Sequence, residues 1–307
     1  MAQDSVTAAK PLRGVFPIAQ TPFTDADKLD LDVLVEQLRF IDRGGVHGFV
    51  WPQLASEWAS LSESERMAGA EALGAAAKKL RPALIFGVQA PSAEAAVRYA
   101  RHAKQVGANA IISLPPPGQT DPKAIAAYYQ QVGAATDLPL FVQAVGNMSI
   151  ATLLEMYKSI PTFRYVKDEA GEPLFRLHEL RDQTGGDLKV FTGSHGRTMI
   201  DEMNRGTAGT MPAASFADLY ATVWDSWQAG NHKDAMEMFG RISMLISEVN
   251  VYGIASLKYI LQLRGVFQNA RTRESANSVL DEKGKEIIRQ MMDEIKPWLR
   301  TTRSQER

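Results

Sequence analysis

Apolar residues in this chain switch repeatedly between a two-residue and a helical period. Gly14-Val-Phe-Pro-Ile-Ala19 reads as a strand, ended by Thr21-Pro22-Phe23. Leu31 to Asp42 then places Leu31, Leu34, Leu38 and Ile41 on one helical face, and Gly44-Gly45 ends it. Val46 to Trp51 is the next strand. Ser62-Glu-Ser-Glu65 has the form of a capping box and opens a helix running to about Lys79. Ala83 to Gly87 is a third strand, followed by a helix from Ser92 to Gln105 that Gly107 stops. Ala110 to Leu114 is a strand, and Asp121-Pro122 caps a helix. Leu138 to Val142 is a strand and Ser149 to Ser159 a helix. Phe163 to Lys167 is the sixth strand, Leu188 to Thr192 the seventh, and Ala208 to Met211 a weak eighth, before a helix from about Phe216 to Gln228.

Eight strand–helix units predict an α/β fold, the (β/α)8 or TIM barrel. A doubly wound open sheet is the alternative. It usually has fewer strands, and no GxGxxG follows the first strand here. After about Gly230 the strand signals cease. Asn231 to Asn250, Ile254 to Leu263 and Glu282 to Leu299 read as helices, so the chain divides into a barrel, 1–229, and a C-terminal helical domain, 230–307. No low-complexity linker separates them, and the two are expected to pack together. The stripe Met236, Met238 and Met244 is expected in the core or a subunit contact. The tail from Thr301 is expected to fray.

Composition narrows the function. The 307 residues carry a formal net charge of −1, which gives no basic excess for nucleic acid or an anionic membrane. There is no cysteine, which excludes disulfides, thiol catalysis and thiolate metal sites. Met1 to Lys10 lacks the apolar run of a signal peptide, and no stretch is long and apolar enough to span a membrane. A cytoplasmic location is the expectation.

Barrels of this kind carry their active sites at the carboxyl ends of the strands. Polar groups there are Gln53-Leu-Ala55-Ser56-Glu57, Gln143 with Gly146-Asn147, Lys167, Gly193-Ser-His195-Gly196, and Pro212-Ala-Ala-Ser215. Lys167 is the one lysine among them. Burial lowers a lysine's pKa and frees neutral amine, which attacks a ketone to give an imine, an electron sink. The plainer reading is a strand-end lysine paired with Asp168 or Glu169. Tyr165 should point into the barrel one layer below Lys167, where a packing role is favoured over a part in the chemistry. The five histidines are scattered and only His195 lies at the mouth, so neither a metal nor a cofactor is expected.

The ordered set Thr21-Pro22-Phe23, Ala55-Ser56-Glu57 with Leu61-Ser62 and Glu65-Arg66, Tyr165-Val166-Lys167-Asp168-Glu169, and Gly206-Thr-Ala-Gly209-Thr-Met resembles the dihydrodipicolinate synthase / N-acetylneuraminate lyase family over nearly the whole chain. The resemblance implies a barrel with a C-terminal helical domain, a homo-oligomer (tetramer or dimer), and Lys167 as the imine-forming residue toward a 2-oxo acid. Departures bear on the substrate. The family's Gly-Thr-Thr-Gly-Glu, or its Gly-Ser-Thr variant, is here Gln53-Leu-Ala-Ser-Glu57. Its strand-five tyrosine is Gln143, and the synthase's arginine falls on Met148. The pattern looks most like the 2-keto-3-deoxy sugar-acid dehydratases, of the L-arabonate type.

Under that resemblance Lys167 attacks C2, a base removes a C3 proton, and the C4 hydroxide leaves. Ser56 and the backbone amides around Ala55 are candidates for the substrate carboxylate, with a turn cap as the other reading. Gln143 cannot titrate but can orient a hydroxyl. Glu169 is either the general acid or base or, the favoured reading, keeps the ammonium paired. Glu57 is expected to bridge loops. Gly193, His195 and Pro212 are candidate substrate contacts, and a surface role stands beside the functional one for His195. Lys258 is expected on a solvated face or in a subunit contact. Three classes remain open: a dehydratase, a pyruvate-dependent aldolase or synthase, and an inactive 2-oxo-acid-binding member.

Overall fold

The computed structural model describes residues 10–273 and 279–301. Strands and helices alternate from β1 (Gly14–Val15), α1 (Leu31–Arg43), β2 (Gly48–Trp51) and α2 (Glu63–Ala77) to β3 (Ala83–Gly87), α3 (Ala93–Gln105), β4 (Ala110–Ser113) and α4 (Pro122–Ala134). They continue through β5 (Leu140–Ala144), α5 (Ile150–Ser159), β6 (Phe163–Asp168), α6 (Pro173–Gln183), β7 (Lys189–Thr192), α7 (Met199–Asn204), β8 (Gly209–Thr210) and α8 (Ala217–Gln228). All eight strands are parallel, and β1 pairs with β8. The seam between β1 and β2 is closed by a bridge from Ile18 to Val50. The fold is the (β/α)8 barrel.

Local chemistry explains the boundaries. Ser62, Ser92, Asp121 and Ser149 each accept a backbone N–H with their side chains and so start α2 to α5. The capping box of Ser62 and Glu65 is complete. β1 is shorter than its apolar run, because Pro17 has no N–H to give the ladder. Pairing resumes at Ile18, whose N–H donates to the Pro212 carbonyl at 2.7 Å. Likewise β5 starts beyond Pro139 and runs on to Ala144, which carries Gln143 inside the strand.

Alternate strand residues fill the barrel: Ile18, Val50, Ile85, Ile112, Phe141 and Phe191 belong to one interior cluster. Tyr165 packs against that cluster and stacks on Phe141 with centroids 4.4 Å apart. It is the layer beneath Lys167, where alternation put it.

Two further helices follow the barrel. α9 (His232–Leu263) lies along α8 and bends at Gly253, and α10 (Glu282–Ile295) packs on α9. The methionine stripe is split: Met238 packs against the core, whereas Met236 and Met244 are exposed. Lys258 departs from its expected solvated face. It is fully buried, pairs with Glu57, and donates to the Arg271 carbonyl at 2.7 Å. Thr301 is also buried, its carbonyl accepting from Arg264 at 2.7 Å. The rest of the tail, and Met1 to Ala9, lie outside the described residues. Among the described residues, no helix is long and apolar enough to cross a membrane.

Candidate active site

Lys167 ends the inward-facing row of β6, paired in register with Gln143 of β5 and Phe191 of β7. Its side chain is almost wholly buried, and its Nζ lies 2.9 Å from Glu169 Oε2. The same carboxylate oxygen accepts from Gln143 Nε2 at 2.5 Å. Glu169 Oε1 accepts the Ser194 backbone N–H at 2.8 Å. Burial opposes the Glu169 charge, but the Lys167 ammonium and these donors outweigh it, so its pKa falls below the ordinary carboxylate value. Asp168 points the other way, into the wall behind the strand. It accepts from Arg176 Nε at 2.8 Å, and burial raises its pKa. The two acids after Lys167 are therefore divided by alternation: Glu169 belongs to the mouth and Asp168 to the helix layer.

The turn after β7 makes room for Glu169. A Cβ on Gly193 would lie 2.0 Å from Glu169 Oε1 and 2.7 Å from Lys167 Cε, so only glycine allows the carboxylate this close. Ser194 and His195 both take left-handed backbone conformations, and the Tyr220 hydroxyl donates to the His195 carbonyl. Burial, and next the charge of Lys167, lower the His195 pKa. Its imidazole is therefore neutral at pH 7, able to donate from one nitrogen and accept at the other.

The loop after β2 is held from below. Ser56 is buried. Its hydroxyl donates to the Ala19 carbonyl at 2.5 Å and accepts the Gln53 N–H at 3.0 Å. Its one proton is thus spent on the loop, in the turn-cap role, and is not offered to a carboxylate. The Ser56 carbonyl accepts from the Thr21 hydroxyl at 2.5 Å, and the Thr21 hydroxyl oxygen accepts in turn from Trp51 Nε1 at 3.0 Å. Ala55 is half-buried and packs against the interior cluster. Glu57 takes a left-handed conformation, turns away from the mouth, and meets Lys258 and the Arg273 N–H, the latter at 2.6 Å. Pro212 lies on the β1–β8 seam.

Two strand-end residues escaped the sequence reading. Gln20 extends the inward row of Ile18, and Gln89 that of Ile85 and Gly87. Gln53 Nε2 donates to Gln89 Oε1 at 2.9 Å. The rule that selected Gln143 would have found both, had the strands been followed one residue pair further. Past the ends of β2, β4 and β5, a cleft of about 500 Å³ is lined by Leu54, Trp58, Leu114, Pro116, Val145 and Met148 among others. Met148, at the position of the synthase's arginine, thus adds an apolar wall and no positive charge. Among the described residues, no three His, Asp or Glu side chains are placed to hold a metal ion.

Residues 11–294 match the profile of the dihydrodipicolinate synthetase family. An L-2-keto-3-deoxyarabonate dehydratase of Azospirillum brasilense is 28% identical over 272 residues, 85% of this chain and 87% of that protein. A 4-hydroxy-tetrahydrodipicolinate synthase of Rhizobium meliloti is 26% identical, over 82% and 88% of the two chains. The crystal structure of dihydrodipicolinate synthase from Rhodopseudomonas palustris superposes with a TM-score of 0.84 at 26% identity, covering 92% of this chain and 97% of that one. N-acetylneuraminate lyase from Mycoplasma synoviae shares the fold, with a TM-score of 0.81 at 21% identity and coverage of 92% and 97%.

Proposed function

We propose that this chain, which belongs to the dihydrodipicolinate synthetase family, forms a lysine imine with a 2-oxo acid and dehydrates a 2-keto-3-deoxy sugar acid. The observation that carries the reading is the buried cluster of Lys167, Glu169 and Gln143, with one carboxylate oxygen within reach of both the amine and the amide. Lys167 Nζ attacks C2 and water leaves, giving the protonated imine. The imine draws electrons from C3, and Glu169, released from its ammonium partner, accepts a C3 proton to give the enamine. The enamine expels the C4 hydroxyl as the protonated Glu169 returns that proton to it. The net loss is one water, and hydrolysis of the conjugated imine frees Lys167. One carboxyl group thus serves as base and then acid, the task the family's strand-five tyrosine would share elsewhere.

Gln143 holds the carboxylate while its own oxygen stays free to meet a hydroxyl. Gly193 gives the substrate access to both reacting groups, neutral His195 contacts a substrate oxygen, and Ala55 and Pro212 line the floor. Ser56 acts through the loop it shapes. The A. brasilense relative, named as a dehydratase, favours this outcome. The R. meliloti relative, named as a synthase, supports a second one, cleavage or formation of the C3–C4 bond from the same imine. Against it stand Gln143 and Met148, which supply neither a phenol nor a cation. The protein is proposed to work as a homo-oligomer, a dimer or tetramer, which light scattering would measure.

Borohydride trapping tests the reading. The protein is incubated with pyruvate and with five- and six-carbon 2-keto-3-deoxy acids, reduced, and mapped by peptide mass. The expected result is an adduct on Lys167, absent from Lys167→Ala, with the sugar-acid adduct short of one water and its carbon chain whole. A three-carbon adduct from a sugar acid would favour the aldolase. A folded sample giving no Lys167 adduct with any 2-oxo acid would leave a binding protein.

A further inference from the structure

Gln20, Gln53 and Gln143, at the carboxyl ends of β1, β2 and β5, are 0%, 1% and 0% exposed. In each, no group among the described residues donates a hydrogen bond to the side-chain carbonyl oxygen. The nitrogen ends fix the direction of these amides. Gln20 Nε2 donates to the Ile18 carbonyl at 2.9 Å, and Gln143 Nε2 to the Glu169 carboxylate, partners that can only accept. Gln53 Nε2 donates to Gln89 Oε1 at 2.9 Å, while Gln89 Nε2 is spent on the Pro52 carbonyl at 2.9 Å. None of the three can be turned over without setting donor against donor or acceptor against acceptor.

Alternation turns Gln20 and Gln143 to the inner face at the barrel mouth, and Gln53 lies on the loop above it. Ile18 is in the interior cluster and Ala19 in the outer one, so Gln20 is the next inward residue of its strand. Phe141 is interior and Gln143 follows it, in register with Lys167. A Cβ on Gly87 would lie 2.9 Å from Gln89 Oε1, which places the Gln53–Gln89 pair over the inner face of β3. A buried carbonyl without a donor is unfavourable, and three at the carboxyl ends of the strands call for a ligand that brings protons. Ketone and carboxylate oxygens are acceptors and would be repelled there. Hydroxyl groups fit.

We infer that the carbonyl oxygens of Gln20, Gln53 and Gln143 form a row of acceptors that selects a 2-oxo acid bearing free hydroxyls beyond C3. The inference rests on the lysine-imine reading above and assigns its substrate selectivity to side chains that do not take part in the bond changes. Rejection of an analogue lacking its hydroxyls follows from the same geometry, since it would leave the acceptors unpaired. Sites that bond a substrate hydroxyl can discriminate by up to about 10⁴–10⁵-fold.

The test compares two acids as protectants against borohydride trapping of pyruvate on Lys167. One is a 2-keto-3-deoxypentonate, with hydroxyls at C4 and C5, and the other is 2-oxopentanoate, with none. Half-protection by the hydroxylated acid is expected at a concentration at least about tenfold lower. In Gln20→Met and Gln53→Met, which keep the shape and lose the acceptor, this ratio falls toward one. Because it is taken within each variant, a general loss of trapping cancels. Equal protection by the two acids in the wild type, or an unchanged ratio in both variants, overturns the inference. If the wild type traps no pyruvate, the imine reading fails separately. The comparison then passes to the shift in thermal unfolding given by the same two acids, read against the same ratio.

Discussion

Glu169 touches three groups, and the proposed reaction changes only one of them. When Lys167 Nζ becomes an imine nitrogen, the ammonium partner is lost, while Gln143 Nε2 and the Ser194 N–H remain. The carboxylate is then held in place and made more basic at the step that needs a base. Glu169→Gln is expected to retain borohydride trapping of pyruvate and to lose about 10²–10⁴-fold in kcat for dehydration. Retained turnover would return Glu169 to the paired, structural role. Gly193→Ala should act on the same atoms by crowding, lowering kcat in the same assay while far-ultraviolet circular dichroism stays unchanged. At this scale the sequence singled out Lys167, Gln143 and Glu169 as candidates, because each lies on or just past a strand end that apolar periodicity had marked. It did not reveal that Ser56 spends its hydroxyl inward, or that Gln20 and Gln89 lie buried at their strand ends. A polar residue after a strand looks alike whether it faces the loop or the barrel, and only closure of the sheet decides which.

Among the elements, α9 bends at one residue. Gly253 has φ 58° and ψ −143°, a region essentially closed to side chains, and its carbonyl accepts from the Ser256 hydroxyl at 2.6 Å. Gly253→Ala should therefore cost about 1–3 kcal/mol, read as a lower urea midpoint with an unchanged slope. Periodicity detected this break as the gap between a helix ending at Asn250 and one starting at Ile254, and the non-helical Gly253 lies inside that gap. The caps of α2 to α5 were legible because Ser and Asp bond the first turn locally. α6 and α7 were not singled out. Of their side chains, Leu177 and Leu180 in the first, and Met199, Glu202 and Met203 in the second, are buried, too few to impose a clear stripe.

Across the whole molecule, the added helices are tied to the rim of the barrel by charge. Lys258 and Glu57 are both fully buried as a pair, and the Lys258 Nζ also lies 4.4 Å from the centroid of Phe23. Removing one partner of a buried pair costs about 3–5 kcal/mol, so Lys258→Met should lower the urea midpoint far more than an exposed lysine would. Arg273 adds a second tie, through Glu65 at 2.7 Å and Asp27 at 3.3 Å. The hydrogen bond from Arg273 brings the Glu65 pKa from 4.5 to about 2. A depressed carboxylate pKa stabilises the fold above its unfolded value and loses that stabilisation as pH falls toward the folded one. Thermal unfolding should thus weaken between pH 4.5 and about 2 less steeply in Glu65→Gln than in the wild type.

The loop from Gln53 to Glu57 is completed by a backbone N–H 216 positions further along the chain, that of Arg273. A ribosome that has released the eight strands has not yet released Lys258 and Arg273, which fasten the rim. The contacts that fasten the mouth can form only once α9 and the segment after it have been made. A nascent chain halted at α8 would hold Lys167, Glu169 and Gln143 and lack both residues that fasten the rim beside them.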